Sequence, residues 1–562
     1  MERFRSVMNV KCLSCLVAIY LLLIVPPACA GAKSYDNTSL NTSKIPLKVR
    51  VTVKKGTPGS YFQKIADLAI KDLNSHYWQG SYNTGHIDDP TGQTRNTNGY
   101  LWECGIYLFA LENMYEATGN PQYRDQVQAH WNYLKSKWGD KLATCGMVNG
   151  VTPSPCQDDA AWSLMMFIKI YNATNDPHAL KCAEELATMS YNRWHDPAGG
   201  GMWYSDFWND PSNDTHYKLK SLYQSAMAMG FFKLWELTGN QTYKDYADDC
   251  YNWLQKNLLR TDGLYWNSVY HKGLPIGGMY AIHEGGSVTY LGGDIGMAIL
   301  NARYYRLTGD DSYRQNALKT VAAIRAHVTD ADGAFIDDMD LWTNGSWATE
   351  YALEVLTLPG ISKLDIDCLH KTAASIYAFD RTSDGYYGAC WNGPIGNSDG
   401  TGTQNSWTKA GNYIPNQIMT SASAIGMLVG AASCPLNTAN TYDEMFLKTS
   451  NIPTTLIRGA TVIPIKVLNT GTRKWDPNDK SRPVSVGIWL EDSSTGKVVG
   501  DKNSRALLSS TVSMGDELNV NFTVPDYWPA GSYNLKIDMV RGKQAWFSDK
   551  GCTPCTIAVK VY

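Results

Sequence analysis

Residues 234–243 read LWELTGNQTY, and the same texture recurs as MYEATGNPQY from Met114, IYNATNDPHA from Ile170 and YYRLTGDDSY from Tyr304. Each stretch closes one amphipathic run and opens another, such as YRDQVQAHWNYL (123–134) and YKDYADDCYNWL (243–254). The pattern is a helix stopped by Gly or Asn in a left-handed backbone, a short polar link and a new helix start, with Pro in the first turn in two cases. These are the corners of αα-hairpins. Thr118, Thr174, Thr238 and Thr308 lie 56, 64 and 70 residues apart, the length of two helices and two loops. The chain from about 60 to 435 has room for roughly six such pairs. We therefore expect a mainly α fold, an (α/α)6 barrel over residues 61–438. Such a ring buries its inner helices on all sides and gathers its longer loops into a cleft. An open solenoid would show more even repeat lengths. The Gly-rich stretches DPAGGGMWYSDFW (196–208) and HEGGSVTYLGGD (283–294) interrupt the helical pattern as cleft-building loops do.

Further along, the texture changes. TVIPIKVLNTG (461–471), PVSVGIWLED (483–492), ELNVNFTV (517–524), GSYNLKIDMV (531–540) and TIAVKVY (556–562) alternate apolar and polar residues between turn signals. Residues 439–562 are thus expected to form a smaller all-β domain, an immunoglobulin-like sandwich with Trp475 and Trp546 as core plugs. Upstream, residues 31–60 read as a polar linker with one candidate strand, LKVRVTVKK (47–55). The first thirty residues combine Arg3, Arg5 and Lys11 with the apolar run CLVAIYLLLIV (15–25) and then PPACA. That order predicts a signal peptide cut after Ala30, since the run is shorter than the roughly 20 residues of a spanning helix. A secreted or cell-surface-associated protein with no transmembrane span follows, and a monomer is expected.

Charge narrows the partner. With 50 basic against 53 acidic residues and a net charge of -3, nothing favours nucleic acid or an anionic membrane surface. An uncharged partner fits better. The 19 Trp and 34 Tyr outnumber 12 Phe, a bias toward flat rings with a polar edge that suits sugar clefts and dense helical cores alike. Ten cysteines remain after the leader, so disulfides are the default in an oxidising setting. Cys145 with Cys156, and Cys552 with Cys555, could each close locally, and GCTPC lacks the second ligand pair that zinc needs. No metal and no cofactor are expected. Asn37, Asn41, Asn172, Asn213, Asn240, Asn344 and Asn521 stand in glycosylation motifs.

Five adjacent Asp pairs occur, at 88 and 89, 158 and 159, 248 and 249, 310 and 311, 337 and 338. Asp248 and Asp249 sit mid-helix, where neighbours diverge by about 100°, and read as a solvated face. Asp310 and Asp311 read as a helix cap, and Asp88 and Asp89 as a turn before Pro90. Asp158 and Asp159 differ, because a loop with Cys156 ends there and the apolar helix AAWSLMMFIKIY begins. They could cap that helix and complement its dipole. Alternatively, the junction lets both carboxyls converge on one ligand atom, near the roughly 5 Å that retaining glycosidases use.

DDAAW (158–162), GGGMWYSDFW (199–208), the run from Tyr217 to Tyr243 and DGLYWNSVYHKG (262–273) follow one another in an order that resembles glycoside hydrolase family 76, the endo-α-1,6-mannanases. The resemblance covers most of residues 75–435. It implies an (α/α)6 barrel, hydrolysis of α-1,6-mannoside links with retention, no metal, Asp158 as nucleophile and Asp159 as general acid/base. Trp162 is expected to pack the helix. Softer substrate-binding candidates are Trp203 and Tyr204, Tyr265 and Trp266, with core packing as the alternative, and His283, Glu284, Tyr290 and Asp294 in a Gly-rich loop. TYLGGDIGM (289–297) stands where the family shows Asn-Gln-Gly, which bears on substrate identity. Asp337, Asp338 and Asp340 form the runner-up acid site. Two other functions keep the barrel: a hydrolase or transglycosylase of another glycan such as uronic-acid oligosaccharides, and a carbohydrate-binding protein without turnover.

Overall fold

The computed structural model describes residues 58–78, 101–139, 156–204, 217–272, 279–281, 291–330, 333–336, 345–381, 385, 387, 391, 418–434, 445–448 and 452–562, the last apart from 472, 503, 514–515, 543–544 and 551–553. The leader, the candidate strand at 47–55 and the Asp88–Asp89 turn lie outside these residues. Helix α1 spans Pro58–Tyr77, so helical structure starts slightly ahead of the expected boundary at 61.

The hairpin corners form as the sequence implies. They join α2 (Leu101–Thr118) to α3 (Pro121–Trp138), α4 (Gln157–Thr174) to α5 (Pro177–Trp194), α6 (Gln224–Thr238) to α7 (Gln241–Asn257) and α8 (Leu291–Thr308) to α9 (Asp311–His327). The chain turns at Gly119, Asn175, Gly239 and Gly309, all with φ between 55° and 71°. Asn120, Asp176, Asn240 and Asp310 then cap the second helix by accepting its second backbone N–H. The recurrent threonine supplies a part that the pattern alone did not reveal. Each Thr hydroxyl donates to the carbonyl four residues back and accepts the N–H of the capping residue, for example Thr238 to Leu234 at 2.7 Å and from Asn240 at 3.2 Å. Thr118, Thr174 and Thr308 repeat both bonds. One side chain thus adds a second bond to a carbonyl in the last turn of the first helix while pinning the start of the next.

A second kind of corner follows the outer helices. His195 bridges Met202, Leu259 bridges Tyr265, Thr329 bridges Phe335 and Arg381 bridges Tyr387, each closing a short loop that leads toward the next inner helix.

Burial separates the two kinds of helix. In α8 every residue from Leu291 to Tyr304 is buried, whereas α7 buries only a stripe through Tyr243, Ala247, Cys250, Tyr251, Trp253 and Leu254. All-round burial marks an inner element, and a single stripe an outer one. Helix α2 packs on α4, α4 on α6 and α6 on α8. Helix α8 then meets the π turn Tyr351–Val355 that follows α10 (Ala348–Glu350), α10 meets α12 (Ile418–Ser433), and α12 returns to α2. Outside them, α1 lies on α12, α3 on α2, α5 on α4, α7 on α6 and α9 on α8, and α11 (Lys363–Ser375) packs on α12. A three-stranded sheet of β1 (Tyr217–Ser221), β2 (Ser268–Lys272) and β3 (Met279–Ala281) is inserted into this helical region.

Beyond the helices the described chain is strand-rich. Strand β6 (Val462–Asn469) pairs on one side with β4 (Met445–Lys448) and on the other with β10 (Glu517–Thr523), both antiparallel. A second sheet runs β5 (Thr455–Leu456), β13 (Cys555–Val561), β11 (Gly531–Arg541), β7 (Val484–Asp492) and β8 (Val498–Val499), with β9 (Arg505–Leu507) on β7 and β12 (Ala545–Trp546) on β11. Ile463, Ile465 and Val467 of the first sheet share one core with Ile488, Leu490, Leu535 and Ile537 of the second. Trp475 and Trp528 fill that core. Trp546 does not. It joins Trp489 and Val540 in a separate cluster, because Trp489 and Val540 alternate with the core-facing residues Ile488, Leu490 and Met539. Lys502 caps both of its indoles, 4.7 Å from each ring.

Cys250, Cys368 and Cys434 are buried and carry free thiols, so the disulfide default fails at these three positions. Cys145 and Cys552 lie outside the described residues. Among the described residues, no helix is long and apolar enough to cross a membrane.

Candidate active site

Helix α4 begins without the usual side-chain cap. Its N-cap residue, Cys156, makes no capping hydrogen bond, and the acidic residues of the first turn are Asp158 and Asp159. Asp158 Oδ1 accepts the backbone N–H of Asp159 at 2.9 Å, so the capping reading holds in part. Its other oxygen faces elsewhere: Oδ2 accepts the hydroxyl of Tyr204 at 2.7 Å. The loop carrying Tyr204 is tied to the same turn, because the Gln157 N–H donates to the Tyr204 carbonyl at 2.7 Å. Trp162, one turn on, is buried and stacks on Trp347 with ring centroids 4.7 Å apart, so it packs the helix.

The electrostatics of Asp158 are opposed. Burial dominates and raises its carboxyl above the usual aspartate range, while the Tyr204 hydroxyl and the backbone N–H groups of Asp159 and Asp158 favour the ionised form. Burial and the charge of Asp158 push the Tyr204 hydroxyl well above the ordinary tyrosine range. Tyr204 therefore stays a donor wherever Asp158 is charged.

The three glycines before Met202 explain how Tyr204 arrives there. A Cβ on Gly199 would sit 2.7 Å from Asp196 Oδ2, and one on Gly201 would sit 2.7 Å from the Trp253 ring and 2.8 Å from Gln224 Oε1. Gly200 and Gly201 also have φ of +71° and +66°. The backbone comes close to its own protein rather than leaving room for a ligand. Lys220 Nζ donates to Asp196 Oδ2 at 2.7 Å and to the Gly200 carbonyl at 2.5 Å. Asp249 Oδ2 accepts the Gly201 N–H at 2.9 Å, and Gln224 Oε1 accepts the Met202 N–H at 2.8 Å.

The other expected site residues divide. Trp203 is buried beneath the Lys220 ammonium, 4.5 Å from its ring centroid. Tyr265 is fully buried and its N–H donates to the equally buried Asp294 at 2.9 Å. Trp266 is half-buried beneath the Arg260 guanidinium. Trp203, Tyr265 and Asp294 are thus buried, and Trp266 is partly so. His283, Glu284, Tyr290 and the runner-up Asp337, Asp338 and Asp340 lie outside the described residues. Asp310 caps α9 as expected, by accepting from Ser312 N–H. Asp248 and Asp249 are not a solvated face, since both carboxylates are engaged by neighbouring elements.

Sequence reasoning passed over Lys220, Asp196 and Gln224, although the two lysines of YKLKSLYQ after HDPAGGG were a readable signal. It also passed over Lys169, three turns beyond Asp158 on α4, whose ammonium is buried between Glu112 at 3.1 Å and Glu350 at 2.7 Å and donates to Asn113 at 2.6 Å. Burial works against that charge, but the two glutamates outweigh it and raise the lysine above its ordinary range. Among the described residues no group of His, Cys, Asp and Glu is arranged to hold a metal.

Comparison with known proteins bears on this region. The family model for glycosyl hydrolase family 76 matches residues 61–425. A mannan endo-1,6-alpha-mannosidase of Saccharomyces cerevisiae is 27% identical over 212 residues, 36% of this chain and 44% of that protein. The chain thus spans less than half the length of this relative, and 35% of a Schizosaccharomyces pombe relative. An alpha-1,6-mannanase of Salegentibacter, solved as an inactive variant with two adjacent aspartates replaced by asparagine and with alpha-1,6-mannotriose bound, is 18% identical. It superposes with a TM-score of 0.52 over 66% of this chain and 99% of its own. An alpha-mannanase of Bacteroides thetaiotaomicron is 16% identical, with a TM-score of 0.51 over 67% of this chain and 98% of its own. At these identities the structural likeness concerns the fold.

Proposed function

The chain belongs to glycosyl hydrolase family 76, and from that membership we propose that it is an exported retaining glycoside hydrolase cleaving α-1,6-mannosidic links in mannan-like polysaccharide. Its catalytic domain is an (α/α)6 barrel, and its C-terminal region an immunoglobulin-like accessory module. Asp158 is the nucleophile and Asp159 the general acid/base. In the first step an Asp158 oxygen attacks the anomeric carbon while Asp159 gives its proton to the departing glycosidic oxygen, leaving a mannosyl ester on Asp158. In the second, Asp159 takes a proton from water, the water oxygen attacks the anomeric carbon, and the ester bond to Asp158 breaks.

The observation that carries this reading is the first turn of α4, where Asp158 and Asp159 stand at the open end of an inner helix and Tyr204 donates to Asp158. A carboxylate that must attack carbon needs its charge kept and its direction set. The helix N-terminus and the Tyr204 donor favour both. The Salegentibacter mannanase made inactive at two adjacent aspartates supports the pairing.

The test is turnover of α-1,6-mannan and of uronate glycans by the purified protein beside Asp158→Asn and Asp159→Asn. Release of reducing ends from α-1,6-mannan by the wild type, lost in both variants, is expected. Turnover surviving both substitutions overturns the site assignment, and binding of mannan without any turnover would favour a carbohydrate-binding protein.

A further inference from the structure

The loop that brings Tyr204 to Asp158 is tied in front by the Gln157 N–H and held from behind by further contacts. From Asp196 to Tyr204 that loop makes its main contacts with Lys220 on β1, Gln224 at the start of α6 and Asp249 on α7. Lys220 is the centre of this arrangement. Its side chain is 2% exposed, it bonds the first and fifth residues of the loop, and its ammonium lies over the rings of Trp203 and Trp253 at 4.5 and 5.1 Å.

We propose that Lys220, paired with Asp196, is a positioning residue for the reaction: it sets the loop that delivers the Tyr204 hydroxyl to Asp158, and so governs how readily Asp158 is held as an aimed carboxylate. The inference rests on the assignment of Asp158 as nucleophile. Among the described residues, Asp158 is met by the Tyr204 hydroxyl and the Asp159 N–H, and Tyr204 in turn by Cys156 and by the Tyr223 ring, 5.9 Å from its own. Those facing Lys220 are Asp196, Asp249 and Cys250. Burial draws Lys220 below the usual lysine range while Asp196 works to keep it charged, and Lys220 outweighs burial at Asp196, whose carboxyl is lowered.

The paired variant Lys220→Met with Asp196→Asn removes both charges together and leaves neither buried alone. Beside it stand Tyr204→Phe, the combination of all three substitutions, and Asp158→Asn, all assayed on α-1,6-mannan with thermal unfolding as the check on folding. We expect the paired variant and Tyr204→Phe each to lower kcat by ~10- to 100-fold with KM little changed. The combination should be no worse than about twofold below the poorer of the two, as expected for coupled sites. Loss of the Tyr204 donor destabilises the carboxylate, so the acid limb of kcat/KM should move to higher pH in both. Gln224→Met frees the Met202 N–H on the same loop and supplies a second route if the paired variant does not fold. Losses that multiply, or a folded variant with unchanged kcat and acid limb, overturn the proposal. If Asp158→Asn keeps its turnover, it is the nucleophile assignment that fails, whatever the loop variants show.

Discussion

The dipeptide Asp-Asp appears at residues 158–159 and again at 248–249, and the helix around it decides what it does. On α7 the pair lies mid-helix, so the two carboxylates diverge: Asp248 accepts from Lys244 and from the Tyr304 hydroxyl, both at 2.5 Å. Asp249 turns toward Tyr191 at 3.2 Å and the Gly201 N–H at 2.9 Å. Each joins a different neighbour to α7. On α4 the pair occupies the first turn, where Asp158 turns to the Tyr204 hydroxyl and the Asp159 N–H. A pair of carboxylates becomes a candidate for chemistry by standing at an open helix end.

The contrast predicts a graded series. Asp158→Asn should reduce turnover of α-1,6-mannan by about 10⁴-fold or more, because it removes the proposed nucleophile. Asp159→Asn should cost roughly 10²- to 10⁴-fold through loss of acid/base catalysis. Asp249→Ala should cost less, near tenfold, since it frees the Gly201 N–H of the loop that carries Tyr204. Asp248→Ala should leave turnover within about threefold while costing about 1–3 kcal/mol of stability, because the buried Tyr304 hydroxyl loses its acceptor; denaturant unfolding measures this. A catalytic loss at Asp248 as large as that at Asp158 would break the comparison.

Acid should affect the two kinds of aspartate differently. Burial raises Asp158, so turnover should already decline as pH falls through a value above the ordinary aspartate range. At Asp176 burial is outweighed by Lys135, Trp131 and the His178 N–H, and the carboxyl is held down at about 2. A depressed folded value means that its stabilisation is present above the ordinary range near pH 3.8 and is lost as pH falls toward about 2. Activity should thus disappear before this corner loosens, which a pH series of rate and of unfolding temperature can separate. The smallest effect belongs to Asn240→Ala, which removes a cap bonded to Thr242 N–H at 3.1 Å and should cost ~1 kcal/mol in the same unfolding assay.

The corners were legible because each is encoded within six or seven consecutive residues: a left-handed Gly or Asn, a capping Asn or Asp, and in two cases Pro. The strands were legible from alternation, as in β10, where Val520 and Phe522 are buried between exposed neighbours. The Asp158–Asp159 pair stood out by its position ahead of an apolar run. What sequence did not convey were groups brought together from distant positions. Lys220 meets Asp196 across a loop, and Tyr204 meets Asp158 across 46 residues. For the aromatic residues after glycines the sequence leaves substrate binding and core packing both open, and Trp203 and Tyr265 are buried. Composition records that a ring is present, whereas its exposure depends on what packs over it. Trp546 fell on the unexpected side of its sheet for the same reason.

The threonine link between paired helices has a kinetic consequence. Everything that shapes it lies within a short span of chain: the hydroxyl bonds to Leu234 and Asn240, the turn at Gly239, and the cap on Thr242. Contacts so local close quickly and with little loop entropy. The meeting of α12 with α2 joins segments more than three hundred residues apart. A chain emerging from the ribosome can therefore shape its helix pairs one after another, while the last inner helix arrives only after nearly all the others have been made. Until then the faces of α2 that α12 covers stand open, and this seam is where a nascent molecule is most exposed to capture by a chaperone or by another copy of itself.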